Sequence, residues 1–178
     1  MTRTKEKLTT LYSAEEIAAQ VARVAAEITV DYKDAERRPL FVGVLKGAFV
    51  FMADLVRQVE LPCRLDFMMA QSYGLGTVSS GYVRIVKDIE TVIENRDVIL
   101  VEDILDTANT LSHLCEILCA RKPKSLKVCV FLDKKANRKI PFEADYSCFE
   151  IDDGFVVGYG LDYAEKYRNL PYLGVIEA

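Results

Sequence analysis

Residues 98–110 read Val-Ile-Leu-Val-Glu-Asp-Ile-Leu-Asp-Thr-Ala-Asn-Thr, and the class of fold can be inferred from this segment. Its first four residues are apolar and three of them are β-branched, which is typical of a strand buried on both faces of a parallel sheet. Three carboxylates and two threonines follow within nine residues. Apolar residues then recur at the spacing of a helix that buries one face, namely Leu111, Leu114, Cys115 and Leu118. The pattern predicts a strand ending at Val101, a polar loop and a helix.

The polar loop lies where open α/β sheets bind ligands, outside the carboxyl end of a strand. A helix N-terminus offers unpaired N–H groups and a positive dipole end to an anion, so a phosphate fits where Thr107 to Thr110 enter the helix. Adjacent carboxylates repel each other unless a cation or a donor lies between them. Glu102 and Asp103 therefore suggest sugar hydroxyls, a divalent metal or both, and Asp106 is left for proton transfer. The alternative is that Asp106 or Thr107 is simply an N-cap.

The composition indicates one domain of a globular enzyme. The chain has 178 residues, a net charge of −4 and a pI of about 5.2, which argues against nucleic acid and against a polybasic membrane patch. The first seven residues lack the apolar core of a signal peptide, and no apolar run approaches a membrane span. We therefore expect a cytoplasmic protein.

Cysteine and histidine usage excludes several kinds of catalysis. The five cysteines include no C-x-x-C pair, so we expect them to be reduced and packed as small hydrophobic residues. The single histidine, His113, is expected at the surface of the helix. Ser-His-Asp and Cys-His mechanisms are therefore disfavoured.

The rest of the chain repeats the strand, loop, helix design without repeating the sequence. A capping box at residues 13–16 opens a first helix. The strand Leu40–Val44 is followed by Lys46 and Gly47 and then by a second helix, and further strands are predicted at 65–70 and 125–132. Residues 71–82 are rich in glycine and serine and have no periodicity, which predicts a mobile loop, either a hairpin tip or a lid.

The residues Val-Glu-Asp-Ile-Leu-Asp-Thr-Ala-Asn-Thr at 101–110 resemble the phosphoribosyl-pyrophosphate (PRPP) signature of type I phosphoribosyltransferases. Three further motifs, at 45–47, 133–135 and 151–171, narrow the resemblance to the hypoxanthine-guanine phosphoribosyltransferases. It implies the α/β type I phosphoribosyltransferase fold, a central parallel sheet flanked by helices with a small hood subdomain. We expect a single domain over 1–178, with a core at about 36–150 and a hood formed by the N-terminal residues and about 151–178.

The resemblance also implies roles for the residues around the PRPP motif. Glu102 and Asp103 would bind the ribose hydroxyls and the shell of a Mg²⁺ ion, and Asp106 would act as the catalytic base. The phosphate would lie against Thr107, Ala108, Asn109 and Thr110. In the family the peptide before the loop lysine is cis; here Lys46 and Gly47, together with Arg168, would bind pyrophosphate.

For the purine, the resemblance implies a second set of contacts. Lys134 would donate to the six-position oxygen of an oxopurine, Phe155 would stack on the base, Val156 would contact its edge and Asp162 would assist a second magnesium. Ser72 and Tyr73, with residues 77–81, match the lid that closes over the site. The implied partners are PRPP and an oxopurine base, with Mg²⁺ as cofactor, in a homodimer or homotetramer that binds neither nucleic acid nor membrane. The implied reaction forms IMP or GMP and pyrophosphate in purine salvage.

One departure and two alternatives remain. Many relatives have glycine where this chain has Ala108, and alanine would be strained if the loop required a positive φ there; we expect the backbone N–H contacts to survive. A regulatory protein of the same fold that senses PRPP and binds RNA would carry a basic face, which the acidic pI disfavours. A receiver-type signalling domain would need a lone acceptor aspartate at a strand end, unlike the order found here.

Overall fold

The computed structural model describes residues 7–73, 82–152 and 154–177. Three helices lie in these ranges, α1 (Ala14–Tyr32), α2 (Phe49–Gln58) and α3 (Asn109–Cys119). The strands are β1 (Lys7–Tyr12), β2 (Leu40–Leu45), β3 (Arg64–Tyr73), β4 (Tyr82–Lys87), β5 (Asp97–Leu105), β6 (Ser125–Lys134), β7 (Tyr146–Ile151), β8 (Val156–Val157) and β9 (Leu173–Glu177).

The main sheet has six strands in the order β4-β3-β2-β5-β6-β7. All neighbouring pairs are parallel except β3 and β4, which are antiparallel. Residues 98–101 of β5 are fully buried. Ile99 and Val101 pack into the core beneath α1 and α2, whereas Val98 and Leu100 pack into the core beneath α3. The predicted α/β class and the doubly buried central strand are therefore confirmed.

The helices begin and pack largely as their sequences predict. The hydroxyl of Ser13 accepts a hydrogen bond from the N–H of Glu16 at 3.2 Å, and the Glu16 carboxylate accepts from the N–H of Ser13 at 2.8 Å. This reciprocal pair satisfies two of the donors that a helix start leaves unpaired. The apolar stripe of α1 is buried at Ile17, Val21, Val24, Ala25 and Ile28.

A second, smaller sheet joins the two ends of the chain. Its order is β1-β9-β8, and both pairs are antiparallel. Leu8 lies opposite Ile176, and Val156 lies opposite Val175. Residues 158–172, which connect β8 to β9, are thereby held beside the main sheet.

Several strands extend beyond their predicted ends. β5 continues through Glu102 and Asp103 to Leu105, and β6 continues to Lys134, because the two backbones stay paired as far as Leu105 opposite Asp133. Backbone pairing at the polar edge of a sheet does not require apolar side chains. Residues 71–73 belong to β3 and Tyr82 begins β4, so these four residues, which were predicted to lie in the loop, are strand residues instead. Residues 74–81, which include most of the predicted lid, lie outside the described residues.

All five cysteines are free. Cys129 and Cys148 are buried, as expected, but Cys119 is exposed. His113 lies on α3 with 43% of its side chain exposed. Within the described ranges, no helix combines the length and the apolar content needed to cross a membrane.

Candidate active site

A cleft of about 520 Å³ opens at the carboxyl ends of β2 and β5. The order of the strands reverses between β2 and β5: the chain passes from β2 to β3 on one side of the sheet and from β5 to β6 on the other. Ligands of open α/β sheets bind at such a switch point. The loop after β2 and the loop after β5 both line the cleft, together with Asp162 and Arg168 from the segment between β8 and β9.

The loop after β2 is packed too closely to accept a side chain at Gly47. A Cβ atom there would lie 1.5 Å from the Oδ2 atom of Asp103. On the other side, Gly160 has a φ of +102°, and a Cβ added to it would lie 2.2 Å from the carbonyl oxygen of Gly47. The peptide between Leu45 and Lys46 is cis, as the resemblance implied. Backbone alone fits at Gly47 and Gly160, which lets the loop lie directly against the end of β5.

Glu102 and Asp103 form a carboxylate pair at the end of β5. Only 8% of Glu102 is exposed, and its Oε1 accepts a hydrogen bond from the N–H of Asp103 at 3.3 Å. Burial and the neighbouring Asp103 carboxylate raise the pKa of Glu102 well above its usual value, and burial also raises the pKa of Asp103. A desolvated acidic pair of this kind is stabilised by a cation or by hydroxyl donors.

The turn from Asp106 to the start of α3 has an uncapped backbone. Ala108 is the N-cap residue, with a φ of 69°, and its methyl group provides no hydrogen bond to the helix start. The Oδ1 atom of Asp106 is buried and has no hydrogen-bond partner within the described residues. The N-cap interpretation of Asp106 is therefore wrong, and Thr107 makes only a long contact of 3.4 Å with the N–H of Asn109. The condition stated for Ala108 holds, because its φ is positive and alanine is strained there; that the backbone N–H contacts to phosphate survive stays a prediction.

Lys46 and Arg168 place two positive charges at the mouth of the cleft, and one carboxylate contacts both. The Lys46 ammonium lies 3.2 Å from Oε2 of Glu165, and Nη2 of Arg168 lies 3.4 Å from Oε1 of the same side chain. Arg168 is also paired with Asp162 at 2.7 Å and donates to the carbonyl of Gly160 at 2.8 Å. The Lys46 ammonium holds the pKa of Glu165 below its usual value. The two cations are thus already in contact with an anion.

The residues assigned to the purine lie next to the small sheet. Lys134 is 8% exposed, and its ammonium donates to the carbonyl of Gly154 at 3.2 Å. Phe155, which follows Gly154 in the chain, is 54% exposed, and its ring contacts that of Tyr163 edge to face with ring centroids 5.3 Å apart. Val156 is buried in β8. An exposed ring beside a buried ammonium offers a planar heterocycle both a stacking face and a hydrogen-bond donor.

A model of the phosphoribosyl transferase domain matches residues 7–164. This match covers most of the chain. The chain belongs to the phosphoribosyltransferase family.

Relatives of this phosphoribosyltransferase are named hypoxanthine-guanine or hypoxanthine phosphoribosyltransferases. The chain is 52% identical over 167 residues to the hypoxanthine-guanine phosphoribosyltransferase of Bacillus subtilis, and the alignment covers 94% of this chain and 92% of that protein. A crystal structure of a hypoxanthine phosphoribosyltransferase from Staphylococcus aureus superposes with a TM-score of 0.90 at 44% identity, over 95% of this chain and 91% of that one. A hypoxanthine-guanine phosphoribosyltransferase from Bacillus anthracis superposes with a TM-score of 0.91 at 42% identity, over 97% and 100% of the two chains.

The cleft of this phosphoribosyltransferase brings together most of the residues assigned to PRPP and pyrophosphate, namely Lys46, Gly47, Glu102, Asp103, Asp106, Thr107, Ala108, Thr110 and Arg168. It also includes Asp162, which was assigned to a second magnesium. Asn109 begins α3 beside the cleft but does not line it, and neither do Lys134, Phe155 or Val156. Sequence reasoning missed Glu165, because its contact with Lys46 joins segments that lie far apart in the chain. The only sequence signal for Glu165 was its place between Asp162 and Arg168 in the matched stretch 151–171.

Proposed function

We propose that this phosphoribosyltransferase transfers the 5-phosphoribosyl group from PRPP to hypoxanthine or guanine. The bond between the anomeric carbon and pyrophosphate breaks, a bond from that carbon to a base nitrogen forms, and the base loses a proton. The products are IMP or GMP and pyrophosphate, in purine salvage. One observation supports this proposal above all: a single cleft contains the uncapped start of α3, the buried carboxylate pair of Glu102 and Asp103, and the cations of Lys46 and Arg168.

The chain's own residues divide the work of binding PRPP. The N–H groups at residues 107–110 would hold the 5-phosphate, since they lie at the positive end of α3. Glu102 and Asp103 would accept hydrogen bonds from the ribose hydroxyls. Lys46 and Arg168, with the backbone at Gly47, would stabilise the negative charge that develops on the departing pyrophosphate.

Asp106 is proposed to hold the proton that leaves the purine. Asp106 lines the cleft, and its buried Oδ1 atom lacks a hydrogen-bond partner among the described residues, so this carboxylate is the proposed acceptor of the imidazole proton. Transfer of this proton is general-base catalysis, which typically contributes about 100-fold to 10,000-fold. Lys134 would select oxopurines, because its ammonium donates to a carbonyl oxygen and has no favourable contact with the amino group of adenine. Phe155 would stack on the base while Val156 contacts its edge.

The carboxylates suit a magnesium ion that arrives with the substrate. The described residues contain no cluster of three or more His, Cys, Asp or Glu side chains able to hold a metal. Mg²⁺ is commonly bound through one or two carboxylates with substrate phosphates and water, and the pair at 102 and 103 fits that role, with Asp162 near the pyrophosphate cations for a second ion. When bound, Mg²⁺ would neutralise charge on the pyrophosphate.

We also propose a lid over the site, an oligomeric state and a cellular location for the enzyme. Ser72 and Tyr73 would belong to a lid that excludes water while the sugar carries positive charge. We propose a cytoplasmic homodimer or homotetramer without affinity for nucleic acid or membranes, in keeping with the net charge of −4. Sedimentation would establish the oligomeric state.

One assay tests the reaction. Purified protein is incubated with PRPP, Mg²⁺ and either hypoxanthine, guanine, xanthine or adenine, and nucleotides are separated by chromatography. IMP and GMP should form in amounts that depend on PRPP, and AMP should not. Absence of both IMP and GMP, with PRPP binding and RNA binding detected instead, would favour the RNA-binding regulator.

A further inference from the structure

Arg138 is a largely buried cation outside the residues assigned so far. It lies in the loop between β6 and β7, and 14% of its side chain is exposed. Its neighbours Lys135 and Lys139 make the segment resemble an ordinary solvated loop. A guanidinium is seldom buried unless its donors are paired, so the contacts of Arg138 require an explanation.

Each nitrogen of the Arg138 guanidinium donates to a different acceptor. Nη2 contacts a carboxylate oxygen of Asp133, Nη1 contacts the carbonyl of Phe142, and Nε donates to the carbonyl of Asp106 at 3.0 Å. Asp133 is 3% exposed and lies opposite Leu105, the last residue of β5. Arg138 therefore joins the end of β6 to the first residue of the loop that follows β5.

The next residue along the loop adds a second hydrogen bond. The N–H of Lys139 donates to the carbonyl of Thr107 at 3.1 Å. The carbonyls of Asp106 and Thr107 thus both face the loop that follows β6. In a trans peptide the C=O and the following N–H point in opposite directions. The N–H groups of Thr107 and Ala108 therefore point away from the loop that follows β6. Both of these residues line the cleft.

We infer that Arg138 is a positioning residue for the phosphate-binding turn, a role that rests on the proposed function. By holding the Asp106 carbonyl, it orients the N–H groups that receive the 5-phosphate and keeps the Asp106 side chain in the cleft. The turn needs such support because Ala108 adopts a left-handed conformation that a non-glycine residue does not adopt readily. Lysine is not an equivalent replacement, since a guanidinium presents its donors as a rigid planar fork and an ammonium does not.

The inference is tested with Arg138→Lys and Arg138→Ala, and Arg121→Ala is the matched control. Arg121 also forms a two-point contact with a carboxylate, Asp88, at 2.7 and 3.0 Å, but it lies at the end of α3 away from the cleft. Steady-state kinetics with PRPP and hypoxanthine are measured with circular dichroism melting curves. Loss of a charge-assisted hydrogen bond is typically worth about tenfold or more in affinity, so both Arg138 variants should raise the KM for PRPP by about that factor. The KM for hypoxanthine should change less, and the control should leave both unchanged.

Chemical rescue separates positioning from general destabilisation. Added guanidinium should restore kcat/KM for PRPP in Arg138→Ala, whereas ethylammonium at the same concentration should not, and neither cation should improve Arg121→Ala. If Arg138→Ala does not fold, the KM values of Arg138→Lys decide. An active wild-type enzyme whose Arg138→Lys variant keeps its KM for PRPP would overturn the inference, whereas an inactive wild-type enzyme would instead refute the proposed function.

Discussion

The ammonium of Lys46 lies 3.2 Å from the carboxylate of Glu165, although 119 residues separate them in the chain. Glu165 also contacts Arg168. In the proposed reaction both cations bind pyrophosphate, so the carboxylate of Glu165 and the substrate compete for the same positive charges.

Glu165→Gln should therefore bind PRPP and pyrophosphate more tightly than the wild type. Both Glu165 and Lys46 are more than half exposed, and exposed ion pairs are weak, so the KM for PRPP should fall by only a few-fold. Initial rates at varied PRPP, with pyrophosphate as inhibitor, provide the measurement. Glu150→Gln is the control, because Glu150 forms an exposed pair with Lys135 instead. A KM that stays the same or rises in Glu165→Gln would show that no such competition exists.

Asp106→Ala should lower turnover far more than it lowers PRPP affinity. Removing a general base costs about 100-fold or more in kcat, whereas in the proposed function backbone N–H groups of the turn would make the phosphate contacts. Turnover is measured by single-turnover kinetics and PRPP binding by calorimetry. Asp106→Asn is a size-matched comparison that should be similarly slow. Equal losses in turnover and affinity would indicate that Asp106 is structural.

Lys134→Ala should raise the KM for hypoxanthine and guanine while changing the KM for PRPP little. A lost hydrogen bond from a charged donor costs about 1.5–3 kcal/mol, which corresponds to roughly tenfold to a hundredfold in affinity. Lys135→Ala is the control, because Lys135 is the next residue but pairs with Glu150 at the surface. Unchanged hypoxanthine and guanine kinetics in Lys134→Ala would remove this residue from the base site.

Ala108→Gly should increase the free energy of unfolding. At a φ of 69°, alanine is less favourable than glycine by about 1 kcal/mol, and the greater backbone entropy of glycine in the unfolded chain offsets part of this gain. Urea denaturation of the two proteins provides the comparison. The same substitution at Ala120, which ends α3 with a φ of −60°, should be destabilising. Destabilisation by both substitutions would show that residue 108 is not strained.

The ionised carboxylate of Asp66 should stabilise the fold at neutral pH, and this contribution should be lost in acid. It is 9% exposed, and burial alone would raise its pKa, but hydrogen bonds from the N–H groups of Thr91, Phe67 and Glu90 hold the pKa below its usual value. A depressed folded-state pKa contributes stability above the unfolded pKa of about 3.9, and this stability is lost as the pH falls through the folded value.

The measurement is urea denaturation at pH 7 and at lower pH values for the wild type and Asp66→Asn. Asp66→Asn should be less stable at pH 7 and should lose less stability in acid. Asp34→Asn, a change in the exposed loop after α1, should follow the wild type. Parallel pH profiles for the wild type and Asp66→Asn would contradict this assignment.

Much of this protein was predictable from local sequence. The apolar run at 98–101, the stripe from Leu111 to Leu118 and the capping box at Ser13 each determine an element, because hydrophobic periodicity and helix-start chemistry act over a few residues. The position of the PRPP motif at a strand end followed for the same reason. The predicted ends of β5 and β6 fell short, because both strands continue past their apolar runs while their backbones remain paired.

The contacts between side chains far apart in the chain could be seen only in the tertiary structure. The contacts from Glu165 to Lys46 and from Arg138 to Asp106 depend on the packing of segments that are far apart in sequence, and no periodicity encodes them. The exposure of Phe155 and the left-handed conformation of Ala108 are likewise set by the surrounding fold. Local patterns specify which face of an element is buried, whereas pairings between loops arise only when the sheet order brings the strand ends together.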